Sequence, residues 1–489
     1  MYRGLNITEL REKIDNENIT PEEIFNNVNS LCHEYQDEYN SFVTIIDKFK
    51  MKTLKKTLIS GIPYALKDNI STANILTTSS SNILKDYIPV YDATVYKKLR
   101  SAGGVLVGKT VLDELAMGGT GTTGHTGVVK NPWDKARMIG GSSAGSASSV
   151  ALGLVPFAIG SDTGDSIRKP ASLGGVVGFK PTYGRISRYG LFAFASSLDH
   201  VGTITRNVKD AAIVTDIIKG QDINDMTTLK DDGKNYVDSL ENDIKGKKLF
   251  YIKEVCDKEL YKDSNDKVLT KVLDDFYTTL DKLREEGFII EEVSVDKNLL
   301  QALYPTYMSI SCAEATSNNA NLTGIQFGPR PEASSYQEIM MKARTEGFSE
   351  LIKRRFILGS FILQKENQEK LFLNACRVRR LIVDKINELF KDYDGMILPA
   401  SGGIAPKFDD TSEKLSERYL ILENHLVIGN FGGFPSITLP FTMVENMPVG
   451  INLTGRVKED DLVLNMANYI EKVTGLKDIY SKVGENDEV

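Results

Sequence analysis

Apolar and polar positions alternate between two periods along this chain. Thr20-Pro21-Glu22-Glu23 is a helix start, with Thr20 as N-cap, proline in the first turn and Glu23 placed to close a capping box. Ile24, Val28 and Leu31 then recur on one face at helical spacing, and the first sixty residues read as helical. Gly61-Ile62-Pro63-Tyr64-Ala65-Leu66 is a short apolar run ending in Lys67, the pattern of a buried strand. Tyr91 to Ala102 predicts a helix with Asp92 as N-cap and Gly103 past its end, and Gly104 to Lys109 predicts the next strand. Further along, strands are predicted at Leu249–Ile252, Gly395–Pro399 and Pro435–Pro440. Helices are predicted near Val268–Glu286, as one or two long elements over Ser349–Asp392, and near Asp461–Val473. The strand–helix–strand rhythm points to a parallel or mixed α/β sheet.

Length and composition narrow this picture. The 489 residues show no internal repeat and no low-complexity linker, so one large domain over 1–489 is the simplest organisation. Within it lie N-terminal helices (1–60), a core (61–205), a more variable and peripheral Asp/Lys/Asn-rich region (220–345) and C-terminal helices and strands that complete the core (346–489). A net charge of −7 gives no general attraction to nucleic acid. Cys32, Cys256, Cys312 and Cys376 form no CxxC pair, which argues against a zinc site or a disulfide framework and fits a reducing compartment. The N-terminus lacks a signal-peptide core and a transit peptide, and no apolar stretch reaches bilayer-spanning length, so the expectation is a cytoplasmic protein, an organelle being the alternative.

The densest chemistry lies between Ile139 and Ser187. Gly140-Gly141-Ser142-Ser143-Ala144-Gly145-Ser146 and Gly160-Ser161-Asp162-Thr163-Gly164-Asp165-Ser166-Ile167-Arg168 flank one apolar run. Glycine lets the main chain turn tightly and approach a ligand, and serines within such turns are candidate nucleophiles with backbone N–H groups beside them. The chain has four histidines, and none accompanies a G-x-S-x-G elbow or stands at metal-ligand spacing. Lysine is left as the base: a buried, neutral Lys67 can accept a proton relayed through an intervening serine.

The blocks GIPYALKDN, GGSSAGS and GSDTGDSIR together resemble the amidase signature family. The resemblance implies a mixed, mostly parallel sheet with helices on both faces. It also implies a Ser–cis-Ser–Lys triad, in which the nucleophile falls on Ser166, the bridging serine on Ser142 and the base on Lys67. Thr163, Gly164, Asp165 and Ser166 would supply the oxyanion hole, and Ser143 would orient the bridge. Further segments, among them Asp113-Glu114-Leu115-Ala116-Met117-Gly118, Tyr183-Gly184-Arg185-Ile186-Ser187 and Ala313-Glu314-Ala315-Thr316, are similar to the branch of this family that feeds ammonia to tRNA-dependent amidotransferases. That likeness implies a glutaminase within a heterotrimer with B and C subunits, and ammonia passing through a tunnel to the B subunit. Misacylated tRNA would be held mainly by the B subunit, with ATP and Mg2+ there and no cofactor or metal on this chain. The reaction would convert Glu-tRNA(Gln), with Asp-tRNA(Asn) allowed as well. Glutamine would be held by Met117, Tyr307, Arg355 and Glu423, with Arg355 on the α-carboxylate.

Three positions depart from the family pattern. Ala144 and Asp165 replace glycines, and Glu423 stands where aspartate is usual. A side chain at position 165 is strained if the backbone there needs positive φ, and its carboxylate repels a developing oxyanion unless Arg168 or Lys169 pairs with it. Two other readings therefore stand beside the glutaminase: a stand-alone amidase on small amides, and a scaffold protein whose glutaminase is impaired by Asp165.

Overall fold

The computed structural model describes residues 2–17, 19–52, 56–258, 266–410 and 416–484. Two helices open the chain, α1 (Ile7–Asn16) and α2 (Pro21–Tyr39). The capping box on α2 is present, with the Thr20 side chain accepting from Glu23 N–H and Glu23 accepting from Thr20 N–H. Ile24, Val28 and Leu31 are buried, as their spacing requires. The first sixty residues are not all helical, because β1 (Phe42–Ile45) follows α2 and forms one edge of the main sheet.

The remaining strands are β2 (Pro63–Lys67), β3 (Val105–Thr110), β4 (Lys130–Asn131), β5 (Asp134–Met138), β6 (Phe157–Asp162), β7 (Val177–Lys180), β8 (His200–Thr205), β9 (Lys248–Ile252), β10 (Ile289–Val293), β11 (Gly395–Pro399), β12 (Ser436–Val444) and β13 (Met447–Gly455). Strands β4 and β5 form a small ribbon; the other eleven make one sheet in the order β1-β3-β2-β6-β8-β7-β12-β13-β11-β9-β10. It is mixed, as expected, but its parallel pairings are confined to two blocks, β3-β2-β6 and β11-β9-β10. Every other neighbour pair is antiparallel, so parallel pairing does not predominate. Much of the difference lies in β12 and β13, which are joined by a two-residue turn at Glu445-Asn446 with φ of 50° and 61°. Such a turn matches the strand twist and closes a hairpin, which must be antiparallel.

All five residues of β2 are buried. Alternate residues on a strand face opposite sides, so this part of the sheet is covered on both faces. The predicted helix at Tyr91–Ala102 is α3 (Thr94–Ser101), and Asp92 is not its cap. The Asp92 carboxylate instead accepts from Ala73 N–H at 2.8 Å and pairs with Arg100 at 3.0 Å. The apolar run Val150–Ile159 is divided between the end of α4 (Ala144–Ala151) and the start of β6. Beyond it come α5 (Arg168–Gly174) and α6 (Val208–Ile218). The region expected to be peripheral contributes β9 and β10, which complete the far edge of the sheet, and the helix Lys267–Glu285, whose Leu269, Val272, Leu273, Phe276 and Leu280 enter the larger apolar core. No helix among the described residues is long and apolar enough to cross a membrane.

Candidate active site

Lys67 is the last residue of β2, and parallel pairing of Leu66 with Ile159 brings it beside the end of β6. The side chain is fully buried. Its Nζ lies 2.8 Å from Ser142 Oγ, 2.9 Å from Ser143 Oγ and 2.9 Å from Ser161 Oγ, with the Ser161 carbonyl at 3.1 Å. Asn69 Nδ2 donates to the same Ser161 hydroxyl at 3.0 Å. Burial pushes the amine down to about 7, while the carboxylates of Asp162, Asp113 and Asp199 oppose that shift. A neutral amine is thus available near pH 7 as a proton acceptor.

Ser142 follows a cis peptide bond from Gly141. Asp113 fixes this turn: its N–H donates to the Ser142 carbonyl at 3.2 Å, and its carboxylate accepts from the N–H groups of Thr120, Gly121, Thr122 and Thr123. There is no room for a side chain at Gly141, where a Cβ would lie 2.0 Å from Asp113 Oδ2. Ser143 holds the N-cap position of α4 but does not cap it; its hydroxyl donates to the Ser161 carbonyl at 3.1 Å and meets Lys67 instead.

Ser166 sits in the turn between β6 and α5, buried, with its carbonyl accepting Ser143 N–H at 3.1 Å. That bond ties the two serine-bearing turns together. Among the described residues, no hydrogen bond joins the Ser142 and Ser166 hydroxyls, so the direct contact found in this structure is Lys67 with Ser142. Arg168, also fully buried, donates from Nη2 to the Gly164 carbonyl at 2.8 Å, and Lys169 N–H donates to the Asp165 carbonyl at 2.7 Å. In a trans peptide the C=O and N–H point in opposite directions, so these bonds turn the N–H groups of Asp165 and Ser166 away from α5. No acceptor meets the backbone N–H groups of Thr163 to Ser166 among the described residues. That arrangement can stabilise an oxyanion. The Thr163 hydroxyl donates to buried Asp199 at 2.6 Å, and burial pushes Asp199 up to about 6.

Asp165 is not among the residues with positive φ, so the backbone strain anticipated from sequence is absent. Neither expected cation pairs with its carboxylate. Arg168 is committed to Asp162, and Lys169 to Glu423. Burial and the nearby Asp162 push Asp165 up to about 6, with Lys169 and Arg168 opposing.

The expected glutamine-binding residues fall in different settings. Tyr307, on the helix Leu303–Asn318, lies against Gly164, where a Cβ would come 3.0 Å from its ring. Arg355, on the helix Glu350–Ile362, stands 5.6 Å from the centre of the Phe194 ring, which meets Tyr307 edge to face at 6.5 Å. Glu423 accepts from Lys169 through Oε2 and from Gly402 N–H through Oε1 at 2.9 Å. Met117 is completely buried in the larger apolar core. A cavity of about 200 Å³ is lined by Asp199, Ser196 and Arg188, but by none of Lys67, Ser142 and Ser166.

Several organising residues were not singled out from sequence: Ser161, Asn69, Asp162 and Asn430, with Arg168 noticed only as a partner for Asp165. The signal for most of them was available, since Asn69, Ser161, Asp162 and Arg168 stand inside the motif blocks. Asn430 reaches Asp162 Oδ1 at 2.9 Å from far along the chain, which spacing does not reveal.

Comparison with known proteins decides the family. The Amidase family profile matches residues 22–464. The chain belongs to the Amidase family. Within it, the chain is 38% identical over 487 residues to the A subunit of glutamyl-tRNA(Gln) amidotransferase from Sulfurisphaera tokodaii, covering 98% of this chain and all of the relative. It is 40% identical over 432 residues to the protein of the same name from Thermotoga maritima, covering 88% of each. The crystal structure of that Thermotoga maritima amidotransferase's A subunit superposes with a TM-score of 0.78 at 37% identity, covering 96% of this chain and 95% of that one. Among the described residues, no group of three or more His, Cys, Asp or Glu is arranged to hold a metal ion.

Proposed function

We propose that this amidase is the glutamine-hydrolysing A subunit of a tRNA-dependent amidotransferase that converts Glu-tRNA(Gln) to Gln-tRNA(Gln). The observation that carries the reading is end-to-end similarity to curated A subunits around a buried lysine held 2.8 Å from Ser142. Ser166 attacks the side-chain amide carbon of glutamine, and its proton passes through Ser142 to neutral Lys67. Backbone N–H groups of the Thr163–Ser166 turn stabilise the tetrahedral oxyanion, each donor contributing about 3 kcal/mol. Lys67 returns the proton to the departing ammonia, and water then hydrolyses the glutamyl ester on Ser166. Ammonia passes to a B subunit carrying ATP, Mg2+ and the misacylated tRNA, with a C subunit completing the heterotrimer; Asp-tRNA(Asn) is the second substrate this assembly would accept.

The stand-alone amidase and the silent scaffold are not favoured. Similarity to A subunits spans nearly the whole chain, and Asp165 does not have the positive φ that would strain the turn, although its carboxylate pairs with neither Arg168 nor Lys169. The test is amidation of Glu-tRNA(Gln) by the assembled complex with either glutamine or ammonium chloride as donor. Ser166→Ala is expected to abolish the glutamine-dependent reaction and spare the ammonium-dependent one. Undiminished glutamine use by that variant refutes the assignment.

A further inference from the structure

Arg355 and Asp165 carry opposite charges and make no ion pair among the described residues. Arg355 buries Nε and Nη1 with no acceptor in reach among the described residues. It stands over Phe194, Phe194 meets Tyr307, and Tyr307 lies against Gly164, so a continuous line of contacts leads from the guanidinium to the residue before Asp165. The Asp165 carboxylate takes part in no hydrogen bond or ion pair among the described residues, because Arg168 holds Asp162 and Lys169 holds Glu423. Both charges act on the Tyr307 phenol, which burial pushes up while Arg355 opposes and Asp165 adds. Tyr419 is also pushed up by its burial, and the same two charges act on it. Asp165 and Arg355 are each partly buried; a charge held partly out of water without a partner is costly, and one of each sign around a shared pair of tyrosines suits a ligand that brings the two complements.

We propose that Asp165 takes the α-ammonium of the α-amino-acid amide whose α-carboxylate the family resemblance assigns to Arg355, so that the two charges hold the substrate's zwitterion between them. Resting on the glutaminase reading, this assigns the departure at position 165 a purpose. It also moves the ammonium contact away from Glu423, whose two oxygens are engaged by Lys169 and Gly402. The ammonium cancels the Asp165 charge before the oxyanion forms on the adjacent turn. An amide lacking the α-amine leaves that charge in place and is penalised twice, in binding and in the transition state.

The test compares ammonia release by the assembled complex from L-glutamine and from glutaramic acid, its analogue without the α-amine. The native complex is expected to prefer glutamine by about 10- to 100-fold in kcat/KM, the range for a hydrogen bond between charged groups. Asp165→Asn is expected to remove most of that preference, chiefly by raising KM for glutamine, while Glu423→Gln keeps it. Turnover of glutaramic acid by Asp165→Asn reports that the variant is folded, and Asp165→Gly provides a second variant with the same expectation. The proposal is overturned if Asp165→Asn lowers both substrates equally, if it keeps the preference, or if Glu423→Gln erases it. Absence of Ser166-dependent ammonia release from either substrate would instead overturn the glutaminase reading and this inference with it.

Discussion

The Arg168 guanidinium and the Asp162 carboxylate meet twice, Nε to Oδ2 at 3.1 Å and Nη2 to Oδ1 at 3.0 Å, with both side chains fully buried. Asp162 is held well below the usual carboxylate range: burial would raise it, and Arg168 outweighs that. Because the same guanidinium also reaches the Gly164 carbonyl, the Leu426 carbonyl and Asn430, it joins the turn that carries Ser166 to a segment more than 250 residues away.

Removing one partner of such a pair strands the other. Arg168→Met is expected to destabilise the fold by about 3–5 kcal/mol, read as a lower urea midpoint. Arg168→Lys keeps the charge without the two-pronged geometry and is expected to recover only part of that loss. An unchanged midpoint in Arg168→Met would contradict the role given to the pair.

As the proposed base, Lys67 is expected to set the pH dependence of glutamine hydrolysis. Its pKa in the fold lies below the ordinary lysine value, at about 7, so the neutral form is lost as pH falls through that value. Below it, kcat/KM is expected to drop about tenfold per pH unit, and above it to level off. Lys67→Arg, charged at every working pH, is expected to lose activity throughout. A profile flat from pH 5 to 8 would remove Lys67 from the role of base.

Ser142 and Ser161 both touch Lys67, but only Ser142 belongs to the proposed proton path. Ser142→Ala is expected to lower the glutamine-dependent rate by about 10²- to 10⁴-fold. Ser161→Ala removes one hydrogen bond to the amine and is expected to cost about tenfold or less. Equal losses in the two variants would show that Ser142 merely helps to hold the lysine.

Two small-residue changes near the first turn separate space from backbone preference. Gly141→Ala drives a methyl group into Asp113 Oδ2 and is expected to destabilise by about 1–3 kcal/mol. Ala144→Gly restores the family's glycine in the first turn of α4 and is expected to cost no more than about 1 kcal/mol. Thermal unfolding of both variants reads the difference.

Where a local pattern controlled the outcome, the sequence was enough. Thr20 and Glu23 announced α2, and the apolar approach to Lys67 announced a buried strand ending at that residue. Asp92 had the right type and position for a cap, but its carboxylate found Arg100 and Ala73 N–H instead, partners that only the folded chain brings near. Pairing direction was illegible where it depended on a two-residue turn of Glu and Asn, which carries no glycine to mark its positive φ. At the site, the family resemblance pointed to Lys67, Ser142 and Ser166, and the fold brings the first two within 2.8 Å of each other. The resemblance did not disclose that Lys169 and Glu423 would take each other, because that choice depends on elements more than 250 residues apart.

The proposed nucleophile, relay and base all come from turns at the ends of β2 and β6 and the start of α4 and α5. Tyr307 and Arg355 are carried by two later helices, Leu303–Asn318 and Glu350–Ile362, outside that strand block. The proposed carboxylate contact thus lies on helices outside the strands that carry the proposed triad, whereas Asp165 lies inside that block, between β6 and α5. Exchanging this helical pair between relatives is expected to alter one end of the substrate's cradle while the residue at position 165 keeps its hold on the other.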